Sequence, residues 1–344
     1  MLLIHFINLT HFRNQSDYSS LLQVYLILEF IAYIYDTLQI SFFLWINISA
    51  KQFHFNFTVV LGYIYSIHIV DNVSIILMRV QIFAGIDDLH ANRVFVALMF
   101  TSIFAVVSAM CIMPFLIIER CFATIFLSDY EVHQRRQISF LLVLLLIVIG
   151  ITSCCHVTQA SNTLLVVVTL ITLNALALLL NFYLRYYNRQ QFKKYHSAGG
   201  IYQYNMSYSL AKRFQISENI RTLHMLNLII FYMGFMNLLV VCCLMVSGFE
   251  SLSPERQAVC TIVLNCCIFV YSNSLSHIIA CCCEKWRRQM QATLKKIGCC
   301  RHSTVQVAPL LDTFGAEMKV KATMTSHFDA LHNSWDVAST VFSQ

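Results

Sequence analysis

The chain has 344 residues, of which 58% are apolar and only 12% are charged, and it contains three prolines and nine glycines. Its mean hydropathy of +0.65 is outside the usual range of soluble globular domains, so the composition predicts a membrane protein. The formal net charge of +6 is too small to indicate a nucleic-acid-binding protein. None of the 14 cysteines has the CxxC spacing of a zinc or redox site.

Seven apolar segments are long enough to cross a bilayer, which takes about 20 residues per helix. They lie at approximately 22–48, 55–78, 94–118, 138–160, 164–184, 223–247 and 258–283. Each run is longer than a tilted membrane strand requires, and no hydropathy repeat relates the two halves of the chain. The sequence therefore predicts an all-α, seven-transmembrane bundle over residues 22–283, preceded by an extracellular tail at 1–21.

Basic residues are distributed unevenly between the two sides of this bundle. If the N-terminus is outside, the outer side holds only four of the 23 Lys and Arg residues, namely Arg13, Arg79, Arg93 and Arg256. The positive-inside rule then predicts an outer N-terminus and an inner C-terminus. Seven helices in this orientation match the layout of a G-protein-coupled receptor, whereas an inverted seven-helix channel would need the opposite bias.

The N-terminal tail contains two N-glycosylation sequons, which begin at Asn8 and Asn14. It lacks the basic region and the small-residue cleavage site of a signal peptide. We therefore expect the first span to act as an uncleaved membrane anchor.

After the seventh span, apolar residues recur at i, i+4, i+8 and i+11 from Trp286, with basic residues between them. This spacing predicts an amphipathic juxtamembrane helix over residues 284–300 that lies in the membrane interface. Five cysteines bracket it at membrane level and are either palmitoylation sites or unmodified thiols: Cys281, Cys282, Cys283, Cys299 and Cys300. The polar remainder, 301–344, is predicted to be a disordered cytoplasmic tail.

Four ionisable side chains fall inside the first two spans, where each costs a few kcal/mol unless it faces the bundle interior. They are Glu29, Asp36, His68 and Asp71. Glu29 and Asp36 are seven residues apart and share one helix face, and Asp36 is the candidate partner of His68. The group is either a set of hydrogen bonds that pack the helices together or a cluster that binds a ligand or cation.

Catalytic and phosphate-binding motifs are absent from the sequence, which contains no HExxH, no GxSxG and no glycine-rich phosphate loop. The sequence therefore predicts no enzymatic activity, no metal site and no cofactor.

The inner ends of the third and sixth spans carry polar features of interest. Glu119 and Arg120 end the third span and could form a local ion pair that breaks when helices move. The segment 185–222 has seven basic residues and one acid, Glu218, which suits either adhesion to an anionic leaflet or a solvated loop. No Pro or Gly occurs between Tyr208 and the start of the sixth apolar run at 223, so the sixth helix is predicted to continue into the cytoplasm.

Three stretches together resemble the nematode serpentine receptors of class epsilon, the Sre family. They are FHFNF at Phe53–Phe57, ERCFATIFLSDYE at Glu119–Glu131 and YSLAKRFQISENIR at Tyr208–Arg221. The resemblance covers residues 20–290. It implies a chemosensory receptor in the plasma or ciliary membrane of sensory neurons, which binds a small-molecule or odorant ligand and signals to a heterotrimeric G protein.

The resemblance also implies a set of residues for activation and G-protein coupling. These are Glu119, Arg120, Asp129, Tyr130, Glu131, Arg213, Phe214, Gln215, Glu218, Asn219 and Arg221. Unlike rhodopsin-type receptors, the chain has no proline in its sixth span and no outer cysteine on its third. A swing of the sixth helix about a proline kink is therefore not expected. The alternative function is a ligand-gated channel or transporter that uses the intramembrane acids.

Overall fold

The computed structural model describes residues 16–50, 53–84, 92–126, 135–157, 163–197, 210–247 and 254–296. All regular structure within these ranges is helical. The helices are α1 (Ser16–Ser49), α2 (Phe55–Phe83), α3 (Arg93–Ile125), α4 (Arg136–Val157), α5 (Thr163–Ser197), α6 (Leu210–Ser247), α7 (Pro254–Cys282) and α8 (Glu284–Lys296). The first seven are long and apolar enough to cross a membrane. The predicted fold, seven membrane helices followed by a short extra helix, is confirmed.

Several helices are longer than the apolar runs that predicted them. The sixth run was placed at 223–247, but α6 already begins at Leu210 and continues unbroken to Ser247. Likewise, α5 continues to Ser197, well beyond the predicted limit at 184. The reason is that hydropathy marks only the part of a helix suited to lipid, whereas polar residues without helix breakers extend the same helix into water.

The third helix is at the centre of the bundle. It contacts α2, α4, α5 and α6, while α1 closes the ring by packing against α2 and α7. Of the membrane-crossing part of α3, 67% is buried inside the protein, compared with 28% for α4 and for α5. An apolar helix with this burial is enclosed by protein on most sides, so its polar side chains have neighbouring helices, not lipid, as partners.

The close approach of α4 to α3 depends on Gly150. A Cβ atom added there would lie 2.7 Å from Cε2 of Phe104 and would also meet Oγ of Ser108. We expect Gly150→Ala to destabilise the folded protein by about 1–3 kcal/mol, because the packed interface has no room for a methyl group. Thermal unfolding of the detergent-solubilised protein, followed by fluorescence-detected size exclusion, measures this.

Gly234 on α6 supplies the matched control. A Cβ atom there would meet nothing within 4 Å, and alanine favours a helix by up to about 1 kcal/mol over glycine. Gly234→Ala should therefore leave the unfolding temperature unchanged or raise it. If the two alanine variants behaved alike, the close α3–α4 packing would be refuted.

Candidate functional site

The α8 end of the bundle is the end at which α1, α3, α5 and α7 finish and α2, α4 and α6 begin. Here Arg120 of α3 makes a two-bond pair with its neighbour Glu119. Its Nε donates to Glu119 Oε2 at 2.6 Å and its Nη2 donates to Oε1 at 2.7 Å. The third donor, Nη1, reaches Oδ1 of Asn219 on α6 at 3.2 Å. We call Glu119, Arg120 and Asn219 the latch.

Burial makes the latch costlier to break by removing one partner than a surface ion pair. The Arg120 and Glu119 side chains are 2% and 0% exposed. An exposed pair usually contributes under about 1 kcal/mol, whereas removing one partner of a buried pair costs about 3–5 kcal/mol. Asn219 is also buried. The latch is therefore a desolvated polar contact that joins α3 to α6.

An aromatic row from the FHFNF stretch continues the latch across the α8 end. The ring of Phe57, on the first turn of α2, lies 4.9 Å from Cζ of Arg120. Phe53 packs against Phe57 with 4.9 Å between ring centroids, and against Trp286 of α8 at 6.5 Å. A guanidinium over an aromatic face is held electrostatically as well as by packing. The row therefore connects α8 to the latch.

The rest of the FHFNF stretch starts α2. His54 is its N-cap residue, and Nδ1 of its ring accepts a hydrogen bond from the Asn56 backbone N–H at 3.3 Å. Phe55 lies under Arg136, the first residue of α4, at 5.2 Å from Cζ to ring centroid. The five-residue stretch thus fixes where α2 begins and contacts three other helices, α3, α4 and α8.

Trp286 occupies a different position from the one its helical spacing predicts. The ring is 1% exposed. It stacks on Phe43 of α1, with 6.1 Å between centroids and 18° between planes, and packs against Tyr65 of α2 at 6.3 Å. The apolar side of α8 is therefore turned toward the protein at this residue, where the sequence predicted contact with the membrane interface.

The cysteines next to α8 differ in accessibility. Cys281 and Cys282 are exposed, whereas Cys283 is buried and its Sγ lies 3.2 Å from Sδ of Met225. Burial raises the pKa of the Cys283 thiol to about 12, so it is a poor nucleophile. Cys299 and Cys300 lie outside the described residues. Of the three predicted acyl acceptors that the structure describes, Cys281 and Cys282 are accessible.

At the opposite end of the bundle, an ion pair joins α1 to α2. Nη2 of Arg79 is 2.7 Å from Oε2 of Glu29, and both side chains are largely buried. The other Glu29 oxygen accepts hydrogen bonds from Asn265 Nδ2 of α7 at 2.8 Å and from Tyr25 OH at 2.9 Å. Arg79, which charge counting assigned to the outside, is therefore the counter-ion of an intramembrane acid and belongs to the site.

Asp36 and Asp71 form the centre of a second polar group. Oδ2 of Asp36 accepts hydrogen bonds from Asn72 Nδ2 of α2 at 2.9 Å and from Ser272 Oγ of α7 at 2.7 Å. Asp71 accepts one from Ser102 Oγ of α3 at 2.5 Å. Side chains of four helices therefore meet around two buried acids.

His68 is buried close to this group, but the expected partnership with Asp36 is not formed. The hydrogen bonds of Asp36 go to Asn72 and Ser272 instead. The imidazole packs against the ring of Tyr271 of α7 at 5.9 Å between centroids. Within the described residues, its Nε2 has no hydrogen-bond partner. The three acids and the imidazole that the sequence suggested as one cluster are thus divided between the Glu29–Arg79 pair, the group around Asp36 and Asp71, and the imidazole beside Tyr271.

Pro114, inside α3, is a feature that sequence reasoning did not use. A proline has no N–H for the carbonyl four residues earlier, which here is that of Met110. Asn174 Nδ2 of α5 donates to this carbonyl at 3.2 Å. One residue before it, the Ala109 carbonyl accepts from Tyr271 OH of α7 at 3.2 Å. Side chains of two neighbouring helices therefore hold α3 at its backbone break.

Of the residues that the resemblance assigned to coupling, the structure brings together the three that form the latch. Glu218 is half-buried and Arg221 exposed on the same stretch of α6. The backbone of Arg213, Phe214 and Gln215 belongs to α6, and their side chains are outside the described part. The remaining predicted residues lie outside the described ranges: Asp129, Tyr130, Glu131, Asn8 and Asn14.

The chain is similar to known proteins over nearly its whole length. The family model described as "Sre G protein-coupled chemoreceptor" matches residues 2–336. Serpentine receptor class epsilon-12 of Caenorhabditis elegans is 45% identical over 342 residues, which cover 98% of this chain and 100% of that protein. Serpentine receptor class epsilon-13 of the same organism is 28% identical over 355 residues, 96% of each chain.

Proposed function

Since the chain belongs to the Sre family of G protein-coupled chemoreceptors, we propose that it binds a small-molecule or odorant ligand from outside and signals to a heterotrimeric G protein inside. The observation that carries this proposal is the Arg120–Asn219 hydrogen bond. It joins the third and sixth helices at the α8 end, between two of the motifs on which the family resemblance was based. The receptor would act in the plasma or ciliary membrane of sensory neurons.

The orientation follows from charge. With the α8 end inside, the inner loops and tail hold most of the basic residues, as the positive-inside rule requires. The burial of Arg79 against Glu29 removes one of four basic residues from the outer surface and so increases the excess of Lys and Arg on the inner side. We therefore place the N-terminus outside and the latch at the cytoplasmic surface.

Activation is proposed to be a shift between two arrangements of α3 and α6. The closed latch holds these helices together and keeps the guanidinium of Arg120 buried. A ligand favours opening only if it binds the open arrangement more tightly. Opening would expose Arg120 and the inner part of α6 to the G protein. The other assigned coupling residues would contact the G protein or support this surface.

The intramembrane acids are proposed to hold the helices together. Glu29, Asp36 and Asp71 all accept hydrogen bonds from neighbouring helices, which is the contact expected of helix-packing polar residues. A ligand that entered the outer half of the bundle would act on this network. Because these acids are engaged in contacts between helices, we prefer the receptor function to a channel or transporter.

Breaking the latch on its α6 side should activate the receptor without a ligand. Asn219→Leu keeps the side-chain volume nearly constant but removes the acceptor for Arg120. Because a hydrogen bond to a charged group contributes about 1.5–3 kcal/mol, we expect ligand-independent signalling to rise on the order of tenfold or more. G-protein dissociation in heterologous cells, at matched surface expression, measures this.

Asn188→Leu is the control for this experiment. Asn188 Nδ2 donates to Thr124 Oγ1 at 3.2 Å, so this hydrogen bond joins α5 to α3 and takes no part in the α3–α6 contact of the latch. Basal signalling of this variant should stay at the wild-type level. Equal rises in both variants, or no rise in Asn219→Leu, would disprove the role of the latch. Ligand-evoked current that persists under G-protein block would favour the channel.

A further inference from the structure

The exposed face of α8 is polar and basic. Its exposed residues recur on successive turns at 284, 287, 288, 291, 292, 295 and 296. Four of these are Arg or Lys, and the acid among them, Glu284, pairs with Arg288 in the same helix at 2.5 Å. Residues spaced in this way share one side of a helix. This side of α8 therefore has a net positive charge.

The opposite face of α8 is fixed to the bundle. Trp286 is buried among aromatic rings of α1 and α2, and Met290, one turn later, packs against the same core. Side chains four residues apart lie on one side of a helix. Because this side is occupied by protein, the orientation of the basic face relative to the bundle is determined.

Three successive contacts lead from α8 to the latch. Trp286 contacts Phe53 at 6.5 Å, Phe53 contacts Phe57 at 4.9 Å, and Phe57 lies 4.9 Å from Cζ of Arg120. Packed side chains of this kind can carry a displacement from one end to the other, because a close-packed interior leaves little room for independent movement.

We propose that the basic face of α8 is a docking surface for anionic lipid headgroups of the cytoplasmic leaflet, and that lipid bound there keeps the latch closed through Trp286. This inference uses the membrane orientation of the proposed function. Lys and Arg near an anionic leaflet are attracted to it, and the guanidinium groups can bind phosphate or carboxylate oxygens with paired hydrogen bonds. Lipid that holds α8 against the bundle keeps Trp286 seated, and the seated ring keeps Phe53 and Phe57 beneath Arg120.

The experiment uses the full-length receptor in nanodiscs, with neither ligand nor G protein. One set contains phosphatidylcholine alone and the other also contains phosphatidylserine. Lipid binding is measured by native mass spectrometry. The latch is followed by fluorine NMR of a fluorinated probe at position 221, an exposed position of α6. In the wild type, phosphatidylserine should increase the closed population several-fold.

Three variants test the lipid-binding surface of α8 and the aromatic contacts to the latch independently. Arg287→Gln with Lys296→Gln should lose most of the phosphatidylserine binding and most of the NMR shift. Trp286→Leu should bind phosphatidylserine as the wild type does but show no shift. Lys193→Gln with Lys194→Gln removes two exposed basic residues of α5 at the same end; it should reduce phosphatidylserine binding much less than the α8 double variant does and leave the NMR shift unchanged.

The possible outcomes decide each half of the inference. Unchanged binding in the α8 double variant, or equal loss in the α5 control, would refute the docking surface. A normal shift in Trp286→Leu would refute the link to the latch. If Trp286→Leu does not fold, Phe53→Leu tests the same link one contact further on. Because no G protein takes part, failure here leaves the proposed signalling function to its own test.

Discussion

A receptor carrying Arg79→Leu is expected to fail to accumulate as a folded protein at the cell surface. The substitution leaves the buried Glu29 carboxylate without the charge that lies 2.7 Å away. Breaking a buried ion pair on one side costs about 3–5 kcal/mol, a large share of the roughly 5–15 kcal/mol by which typical proteins are stable. Glu29→Gln should be similarly damaging, because the Arg79 charge then loses its carboxylate.

The double variant Glu29→Gln with Arg79→Leu should recover much of the lost expression. Glutamine retains an oxygen that can accept hydrogen bonds from Asn265 and Tyr25, and no buried charge of the pair remains. Surface labelling measures the amount of protein at the cell surface, and size exclusion of the solubilised protein measures how much of it is folded. Arg93→Leu is the control, since Arg93 is exposed at the start of α3 at the same end. A double variant no better than the poorer single variant would show that the pair is not coupled.

The second large effect is expected at the backbone break of α3. Pro114→Ala restores the N–H that can bond the Met110 carbonyl, so it should stabilise the folded protein by up to about 3 kcal/mol. The same change removes the point at which α3 is free to bend. We therefore expect a receptor that unfolds at higher temperature but whose maximal ligand response, or whose activation by Asn219→Leu, is reduced several-fold.

A double-mutant cycle with Asn174 tests the physical reason. With Pro114 present, Asn174→Leu leaves the buried Met110 carbonyl unsatisfied and should cost about 1–3 kcal/mol. In the Pro114→Ala background the cost should be markedly smaller, because the backbone supplies the missing donor. Asn181→Leu is the control, since Asn181 Nδ2 donates to Asn227 Oδ1 on α6 at 3.3 Å. Asn181→Leu should destabilise the protein equally with Pro114 present and in the Pro114→Ala background. The explanation would be contradicted if the cost of Asn181→Leu differed between the two backgrounds, or if the cost of Asn174→Leu did not.

The fold could be predicted from the sequence because each membrane helix is encoded locally, by an apolar run bounded by polar residues. The extension of α6 from Leu210 was foreseeable for the same reason, since no Pro or Gly lies between Tyr208 and the apolar run that starts at 223. Trp286 was different. Its spacing identified the apolar side of α8, but periodicity alone does not say whether lipid or protein covers that side, and here the cover is provided by α1 and α2.

The candidate site was predictable only in parts. Glu119, Arg120 and Asn219 were each singled out, yet Arg120 and Asn219 are 99 residues apart in the chain, and their contact depends on how α3 packs against α6. Arg79 was misplaced because charge counting assigns a basic residue near a span end to the loop. Its position eight residues after Asp71, roughly two helical turns, was the available signal that it faces the same interior.

The central helix is held partly by its main chain. Its carbonyls at Phe100, Ala109 and Met110 accept hydrogen bonds from Cys154 of α4, Tyr271 of α7 and Asn174 of α5. A carbonyl oxygen is present whatever side chain the residue carries. Substitutions at these three acceptor positions therefore keep the carbonyl oxygen that accepts each hydrogen bond. The donor positions on the surrounding helices, in contrast, require a side chain that can donate one. In evolutionary terms, the side chains at these three positions of α3 can change without loss of the hydrogen bonds that join the helix to its neighbours there.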